Sequence, residues 1–232
     1  MNIKYLGHSC FLLEVKGQTL LFDPFIRGNK LASGIDVAGL KPDFIFVSHG
    51  HDDHVGDTVE IAKNSGALVI SNFEITLWLE RHGVQRTHSM NIGGHWHFDF
   101  GKVKCVNAVH SSSMPDGSYG GSAMGFLLET DDANIYFAGD TALTMDMKLI
   151  GDYKRIDLAF LPIGNNFTMG IDNAVIASDF IRCDRIIGMH FDTFEPIRID
   201  QDEAFGKFAA SGKELILLPV GKSYELSKHL TP

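Results

Sequence analysis

The sequence predicts a mixed α/β fold, formed by a single domain over residues 1–232. Short apolar runs typical of strands alternate with segments of helical character towards both ends of the chain. Between them, at about 84–140, the pattern changes to two β-hairpins. The chain shows no low-complexity tract, internal repeat or linker, so we place no domain boundary within it.

The first half of the chain alternates predicted strands with loops and two helices. Lys16-Gly17 predicts a hairpin turn, Asn72 predicts a helix N-cap and Gly83 predicts a helix end. Residues 27–41 show no strong period, and we expect a long loop that is either an active-site flap or a plain connection. The strands are expected at 3–6, 10–15, 19–22, 44–48 and 67–70, and the helices at 55–63 and 72–82.

The second half supplies the two hairpins and then returns to alternation. Gly101-Lys102 predicts the turn of the first hairpin, and residues 130–133 predict that of the second. The strands are expected at 95–100, 103–109, 124–129, 134–137, 157–161, 185–189 and 215–218, and the helices at 144–150, 172–182 and 200–210. Helices that follow strands in this way are expected to cover one face of a sheet.

Composition and charge restrict the function classes. The net charge is −9 and no cluster of Lys and Arg occurs, which disfavours a nucleic-acid partner. No apolar stretch approaches ~18 residues, so we expect no membrane span. The N-terminus lacks the apolar core of a signal peptide, which makes the cytoplasm the default compartment. The three cysteines, Cys10, Cys105 and Cys183, form no CxxC pair. Cys10 and Cys105 lie in apolar, strand-like runs and are expected to be buried thiols rather than ligands.

The strongest chemical signal lies at residues 47–54, where an apolar run passes directly into His49, His51, Asp53 and His54. Imidazole and carboxylate groups are the ligands that zinc and its first-row neighbours prefer. A buried strand that ends in such side chains predicts a metal-binding loop at the rim of a sheet. The alternative is a solvated polar turn that is rich in histidine by chance.

Three further ligand-type residues follow apolar runs in the same way. His110 follows the run 103–109, Asp140 follows 135–139 and His190 follows 185–189. Four strand ends that point ligands at one place are a more specific signal than the 47–54 motif alone.

The pattern His-x-His-x-Asp-His resembles the signature of the metallo-β-lactamase fold superfamily. The opening Tyr-Leu-Gly-His-Ser-Cys-Phe, the pair Asp23-Pro24 and the segment 188–194 resemble its uncharacterised metal-dependent hydrolase branch (UPF0173-like), which is similar to the ascorbate-6-phosphate lactonase group. The likeness covers nearly the whole chain. It implies a four-layer αββα sandwich, in which two sheets face each other and the helices lie outside.

The resemblance also implies two divalent metal ions, with zinc favoured and manganese, iron or nickel as alternatives. The first ion would be held by His49, His51 and His110, and the second by Asp53, His54 and His190. Asp140 would bridge the ions together with a water or hydroxide, and the hydroxide would be the nucleophile.

Two residues are expected to take part in catalysis beside the metals. Asp53 would accept a hydrogen bond from the hydroxide and share in proton return. His8 would lie at the rim of the site as a substrate ligand or general acid; the alternative is an exposed hairpin histidine. The loops at 111–121 and 162–170 follow strand ends and are expected to frame the substrate. His95 and His97 are expected on a solvent face.

These features predict a metal-dependent hydrolase that cleaves a lactone, ester or phosphodiester bond in a small polar substrate. An RNA-processing metallonuclease would share the ligand pattern, but the acidic net charge disfavours it. A non-catalytic metal-binding scaffold is the third hypothesis, and the seven-residue ligand set opposes it, because structural zinc sites are closed and hold one ion. The resemblance leaves a homo-oligomer open.

Overall fold

Two seven-stranded sheets form the centre of the structure, a computed structural model that describes residues 1–227. The first sheet has the strand order β14-β1-β2-β3-β4-β5-β6, antiparallel from β14 to β3 and parallel from β3 to β6. Its strands are β1 (Asn2–Gly7), β2 (Cys10–Val15), β3 (Gln18–Phe22), β4 (Phe44–Phe46), β5 (Leu68–Asn72), β6 (Thr87–Met90) and β14 (Ser223–Glu225).

The second sheet has the order β13-β12-β11-β10-β9-β8-β7. Both predicted hairpins are present, because β7 pairs with β8 and β9 pairs with β10 in the antiparallel sense. The turn of the first hairpin lies at residues 99 and 100, however, and the predicted turn residues Gly101-Lys102 begin β8, where they pair with Phe98 and His97. The strands from β10 to β13 run parallel. The strands are β7 (His95–Phe98), β8 (Gly101–Asn107), β9 (Met124–Glu129), β10 (Asn134–Phe137), β11 (Leu158–Pro162), β12 (Arg185–Met189) and β13 (Glu214–Ile216).

Helices pack on both sheets. Those of the first half are α1 (Asp52–Val55), α2 (Thr58–Ser65) and α3 (Phe73–Arg81); those of the second half are α4 (Asp146–Tyr153), α5 (Ile171–Phe180) and α6 (Gln201–Ala210). The helix α3 contacts β5 and β6, whereas α5 contacts β11 and α6 contacts β13. The four-layer αββα sandwich that the resemblance implied is therefore confirmed.

The core between the sheets is aromatic. Phe22 of β3 and Phe46 of β4 stack with ring centroids 4.7 Å apart. Across the gap, Phe137 lies 4.8 Å from Phe22 and Phe126 lies 5.1 Å from Phe46, measured between ring centroids. All four side chains are at most 1 % exposed. These contacts hold the two sheets face to face and so bring their strand ends to a common rim.

Some elements of both halves differ from the sequence prediction. The strands β6 and β14 were missed because each is a short edge strand with polar residues, which gives no clear hydrophobic period. The helix predicted at 55–63 is interrupted at Gly56-Asp57, where the buried Asp57 carboxylate accepts hydrogen bonds from the backbone N–H groups of residues 26 and 27.

Among residues 1–227, no helix is both long and apolar enough to span a membrane. His229, expected at the surface, lies outside the described residues.

Candidate metal centre

The predicted ligands come from strand ends of both sheets. His49 and His51 lie in the loop after β4, and Asp53 and His54 lie in the short helix α1. His110, Asp140 and His190 follow β8, β10 and β12. Backbone hydrogen bonds join the sheets here: the N–H of Met124 donates to the Ser48 carbonyl (3.1 Å), and that of His190 donates to the His8 carbonyl (3.0 Å).

One carboxylate oxygen, Asp140 Oδ2, lies at the centre of the cluster. Four imidazole Nε2 atoms surround it, at 3.0 Å for His190, 3.3 Å for His54, 3.5 Å for His110 and 3.9 Å for His49. Asp140 is 2 % exposed. An oxygen in this position can contact ions on both sides of it.

The remaining donors divide into two groups. His49, His51 and His110 offer nitrogen atoms within 4.8 Å of one another, and His49 Nε2 lies 3.0 Å from His51 Nδ1. On the other side, the ligand atoms of a second group also lie within 4.8 Å of one another; its members are His8, Asp53, His54 and His190. The structure thus brings together all seven residues that the sequence predicted as ligands, with His8 beside them.

A buried carboxylate that the sequence analysis did not include in the site, Asp23, orients two of these histidines. Asp23 Oδ2 accepts hydrogen bonds from His54 Nδ1 (2.8 Å) and from the Ser48 hydroxyl (2.7 Å). Because that hydroxyl donates to Asp23, it accepts from His49 Nδ1, which lies 3.0 Å away. Both imidazoles therefore carry their proton on Nδ1, and each turns the Nε2 lone pair towards the cluster.

The electrostatics of the cluster favour a cation. The ion-pair partners of Asp23, Asp53 and Asp140 are histidines. Burial opposes a charge on His54, but Asp140, Asp23 and Asp53 together hold its pKa well above the ordinary value. Burial opposes ionisation of Asp140 as well, but His54 and His190 hold the pKa of that carboxyl well below its usual range. The three carboxylates therefore favour a positive charge among them, which a metal ion at His54 Nε2 would supply in place of a second proton on that imidazole.

His8 lies inside the cluster. It is 1 % exposed, its Nε2 atom lies 3.2 Å from Asp53 Oδ2, and its Nδ1 atom lies 3.0 Å from the Thr193 hydroxyl. The residue has a positive φ of 57°, which directs the side chain of this β1–β2 turn into the site. Burial and the neighbouring His190 lower the pKa of His8 to about 4, so the imidazole is neutral near pH 7. It is not the exposed hairpin histidine considered as the alternative.

The donor set fits divalent ions of the first transition row. It consists of five imidazoles and two carboxylates, the ligand types that zinc and its neighbours prefer. Two inward-facing atoms, His54 Nε2 and Asp140 Oδ1, are buried and have no hydrogen-bond partner among the described residues. Orphaned buried polar atoms are costly in a folded protein, and coordination of a metal would satisfy them.

Other residues that the sequence analysis weighed lie as follows. The Ser111 hydroxyl is 3.3 Å from His51 Nε2, so the loop that follows His110 does reach the site. His95 and His97 are exposed on the edge strand β7, as expected.

Comparison with known proteins places the chain in a family. Residues 2–190 match the model of the beta-lactamase superfamily domain, so the chain belongs to the metallo-β-lactamase superfamily. Within it, the chain is similar to proteins named UPF0173 metal-dependent hydrolase. The relative from Flavobacterium johnsoniae is 54 % identical over 226 residues, which are 97 % of this chain and 100 % of that protein. YtkL of Bacillus subtilis is 44 % identical over 231 residues, again 97 % of this chain and 100 % of the relative.

Solved structures agree with this assignment. Igni18, described as a novel metallo hydrolase from Ignicoccus hospitalis, superposes with a TM-score of 0.87 at 32 % identity, covering 97 % of this chain and 99 % of that one. An isothiocyanate hydrolase from Delia radicum gut bacteria shares the fold, with a TM-score of 0.81 at 17 % identity over 98 % of this chain and 100 % of that one. The protein is thus a metal-dependent hydrolase of the metallo-β-lactamase superfamily.

Proposed function

We propose that the protein is a dinuclear hydrolase that cleaves a lactone, ester or phosphodiester bond in a small substrate. One observation carries this proposal: Asp140 Oδ2 lies among four imidazole nitrogens, and the other donors divide into a group on each side of it. A structural zinc site closes around a single ion, whereas this arrangement offers ligands to two.

We assign the ligands to the two ions as the resemblance implied. His49, His51 and His110 would hold one ion, Asp53, His54 and His190 would hold the other, and Asp140 would bridge them. We propose zinc, with manganese, iron or nickel as alternatives, because all of these accept His and Asp ligands. When bound, two such ions act as Lewis acids that lower the pKa of water and polarise the scissile group.

The chain's own residues supply the proton transfers. Hydrolysis adds one water across the scissile bond, so a proton must leave the attacking water and reach the leaving oxygen. Asp53 is the side chain suited to this transfer, because 26 % of it stays exposed at the mouth while its carboxylate faces the cluster. Its pKa is well below the usual range: burial opposes ionisation, but the charge of His54 and the contact with His8 outweigh it. It is therefore an acceptor at neutral pH.

We assign His8 to the orientation of Asp53. An ionised Asp53 carboxylate can only accept, and His8 Nε2 faces its Oδ2 atom at 3.2 Å, so the neutral imidazole carries its proton on Nε2; its Nδ1 atom, 3.0 Å from the Thr193 hydroxyl, is then an acceptor. The contact with Asp53 holds one carboxylate oxygen in place and leaves the other, Oδ1, to receive a proton. The role differs from the substrate ligand or general acid that the sequence suggested.

We also propose a cytoplasmic location and a small-molecule partner. All three cysteines are free and buried, which is typical of a reducing compartment. A nucleic-acid partner remains disfavoured by the net charge of −9.

Metal content and turnover test the proposal together. We expect about two ions per chain and hydrolysis that a chelator abolishes, measured with a lactone, a bis-aryl phosphodiester and a thioester as substrates. Asp140→Ala should lower both the ion count and the turnover. The matched control is Asp52→Asn, which changes an exposed carboxylate at the start of α1, next to Asp53. One tightly held ion that Asp140→Ala leaves in place would overturn the dinuclear proposal and favour the scaffold. Turnover of RNA alone would favour the nuclease.

A further inference from the structure

The loop between β11 and α5 displays an aromatic side chain at its tip. Residues Gly164 and Gly170 form an isolated antiparallel bridge, which closes the loop at its base. Asn165 and Asn166 both adopt left-handed backbone conformations, with φ of 62° and 56°. Asparagine tolerates this conformation better than other residues with side chains. The two consecutive turns leave Phe167 projecting, with 55 % of its surface exposed.

Backbone contacts fix the base of this loop to residues of the metal centre. The N–H of Met169 donates to the carbonyl of Thr141, the residue after Asp140, at 3.0 Å. At the other end of the loop, a Cβ atom built on Gly164 would lie 2.1 Å from the carbonyl oxygen of His190. Gly164 is therefore in direct backbone contact with one proposed ligand, and the loop lies between the Asp140 and His190 segments.

A second exposed apolar side chain belongs to the same rim. Val109 precedes the ligand His110 and is 48 % exposed. Its N–H donates to the Thr141 hydroxyl (3.0 Å), and its carbonyl accepts from the N–H of Ala142 (3.1 Å). Thr141 thus links both loops: its hydroxyl bonds the Val109 backbone and its carbonyl bonds the loop that carries Phe167.

Single exposed apolar residues are common on protein surfaces. Val109 and Phe167 differ from such residues because hydrogen bonds tie their loops to Thr141, one residue from the carboxylate at the centre of the cluster: Val109 bonds through its own backbone, and the Phe167 loop bonds through the N–H of Met169. Their positions relative to the metal centre are therefore set before a substrate arrives. Apolar side chains held in water at the mouth of a polar site gain free energy when a ligand covers them.

We propose that Phe167 and Val109 are specificity-determining residues that contact the part of the substrate next to the bond that is cleaved. The preferred substrate then carries an apolar group, an alkyl chain or an aromatic ring, attached to its polar scissile group. This inference rests on the proposed function, because it concerns the same site, and it narrows the substrate class from small polar metabolites to amphipathic ones.

Binding of straight-chain carboxylates tests the inference without requiring turnover. Acetate, butyrate, hexanoate and octanoate are titrated calorimetrically into the metal-loaded protein, whose ions provide the anchor for the carboxylate. A fully buried methylene contributes about a fourfold gain in affinity. For half-exposed contacts we expect about twofold per methylene, so octanoate, with four more methylenes, should bind about 16-fold more tightly than butyrate.

Two substitutions test whether the chain-length dependence arises at Phe167 and Val109 rather than elsewhere on the surface. Phe167→Ser should remove about half of this chain-length dependence, and Val109→Thr, which keeps the side-chain shape but adds a hydroxyl, should reduce it further. Phe205→Ser is the matched control, because Phe205 is 42 % exposed on α6; it should leave the dependence intact. Sedimentation of each variant shows whether the oligomeric state is unchanged.

Several results overturn the inference. The inference is wrong if the affinity does not rise with chain length. It is also wrong if Phe205→Ser reduces the chain-length dependence as much as Phe167→Ser does. A change of oligomeric state in Phe167→Ser would instead assign this residue to a subunit interface. These outcomes differ from failure of the proposed function, which would appear as fewer than two bound ions or as no hydrolysis in the wild-type protein.

Discussion

At the scale of single residues, one carboxylate controls the orientation of ligands on both sides of the centre. Asp23 is fully buried and has a left-handed backbone, with φ of 40°. It binds His54 directly and reaches His49 through Ser48. Groups that orient metal ligands without touching the metal fix the tautomer and the direction of the lone pair. The sequence predicted only that Asp23-Pro24 ends a hairpin, because the partners of Asp23 lie 25 and 31 residues further along the chain.

Removing the charge of Asp23 should weaken metal binding although no ligand is lost. Asp23→Asn keeps the shape of the side chain but no longer holds the proton on Nδ1 of His54. We expect metal affinity to fall by about 10- to 100-fold, measured by competition with a chelator. Asp52→Asn, in the exposed neighbour of the ligand Asp53, should change the affinity little. Equal effects of the two substitutions would show that Asp23 acts only through net charge.

Thr193 should matter through His8 rather than through folding. Thr193→Val removes the hydroxyl that faces His8 Nδ1. We expect kcat/KM to fall while the metal content stays at about two ions per chain, and Thr193→Ser should restore activity because the hydroxyl returns. A metal content that falls in parallel with activity would assign Thr193 to metal retention instead.

At the scale of elements, loops after strand ends carry the conformations that strands and helices cannot provide. The residues other than glycine that have positive φ angles include two histidines of the cluster, His8 and His190, and the loop residues Asn165 and Asn166. Such conformations are uncommon and persist where surrounding contacts determine them. Sequence patterns identify the neighbouring strands well but do not reveal these single turns.

The left-handed turn at Asn166 gives a prediction about stability. Asn166→Ile introduces a β-branched side chain at φ of 56°, and we expect the free energy of unfolding to fall by about 1–2 kcal/mol. Asn166→Gly permits the same backbone and should cost less. Urea unfolding of the metal-free protein measures both. If isoleucine were tolerated as well as glycine, the loop would adopt another conformation in solution.

At the scale of the whole molecule, packing between the sheets determines where the strand ends meet. Phe126 of β9 contacts both Phe22 and Phe46 of the opposite sheet and is fully buried. Because the ligands come from both sheets, a change in sheet packing would move His110, Asp140 and His190 relative to the 47–54 loop.

Truncation of this core should be costly. We expect Phe126→Ala to lower the free energy of unfolding by about 3–5 kcal/mol, because it leaves a cavity between the sheets. Phe205→Ala, at an exposed position, should stay within about 0.5 kcal/mol of the wild type. Denaturant unfolding with a chelator present measures both changes in the free energy of unfolding. A small effect at Phe126 would mean that the sheets do not pack as described.

The buried thiols give a prediction about pH. Burial raises the pKa of Cys105 to about 12 and that of Cys183 to about 11. Since the thiolate is the reactive form, native protein at pH 8 should resist alkylation and unfolded protein should react. The unfolded chain loses these protons first, so stability falls as pH rises from about 8.5 towards the folded values. Mass spectrometry after iodoacetamide treatment checks the reactivity, and rapid alkylation of the native protein would contradict burial.

The sequence by itself determined the order and type of the elements other than β6 and β14, the two central hairpins and the nature of the donors. Each depends on a local pattern, an apolar run followed by a turn or by a ligand-type side chain, which a short window of sequence contains. It also placed seven candidate ligands at four strand ends, and the structure brings them together.

Only the tertiary structure decided how these donors are oriented and what surrounds them. The contacts of Asp23 with Ser48 and His54, of His8 with Asp53, and of Thr141 with the loops of Val109 and Phe167 join segments that are far apart in the chain. The edge strands β6 and β14 also take their strand form from pairing with β5 and β1 rather than from their own sequences. Strand register and the packing of one sheet on the other set these distances, and neither is a property of any local stretch of sequence.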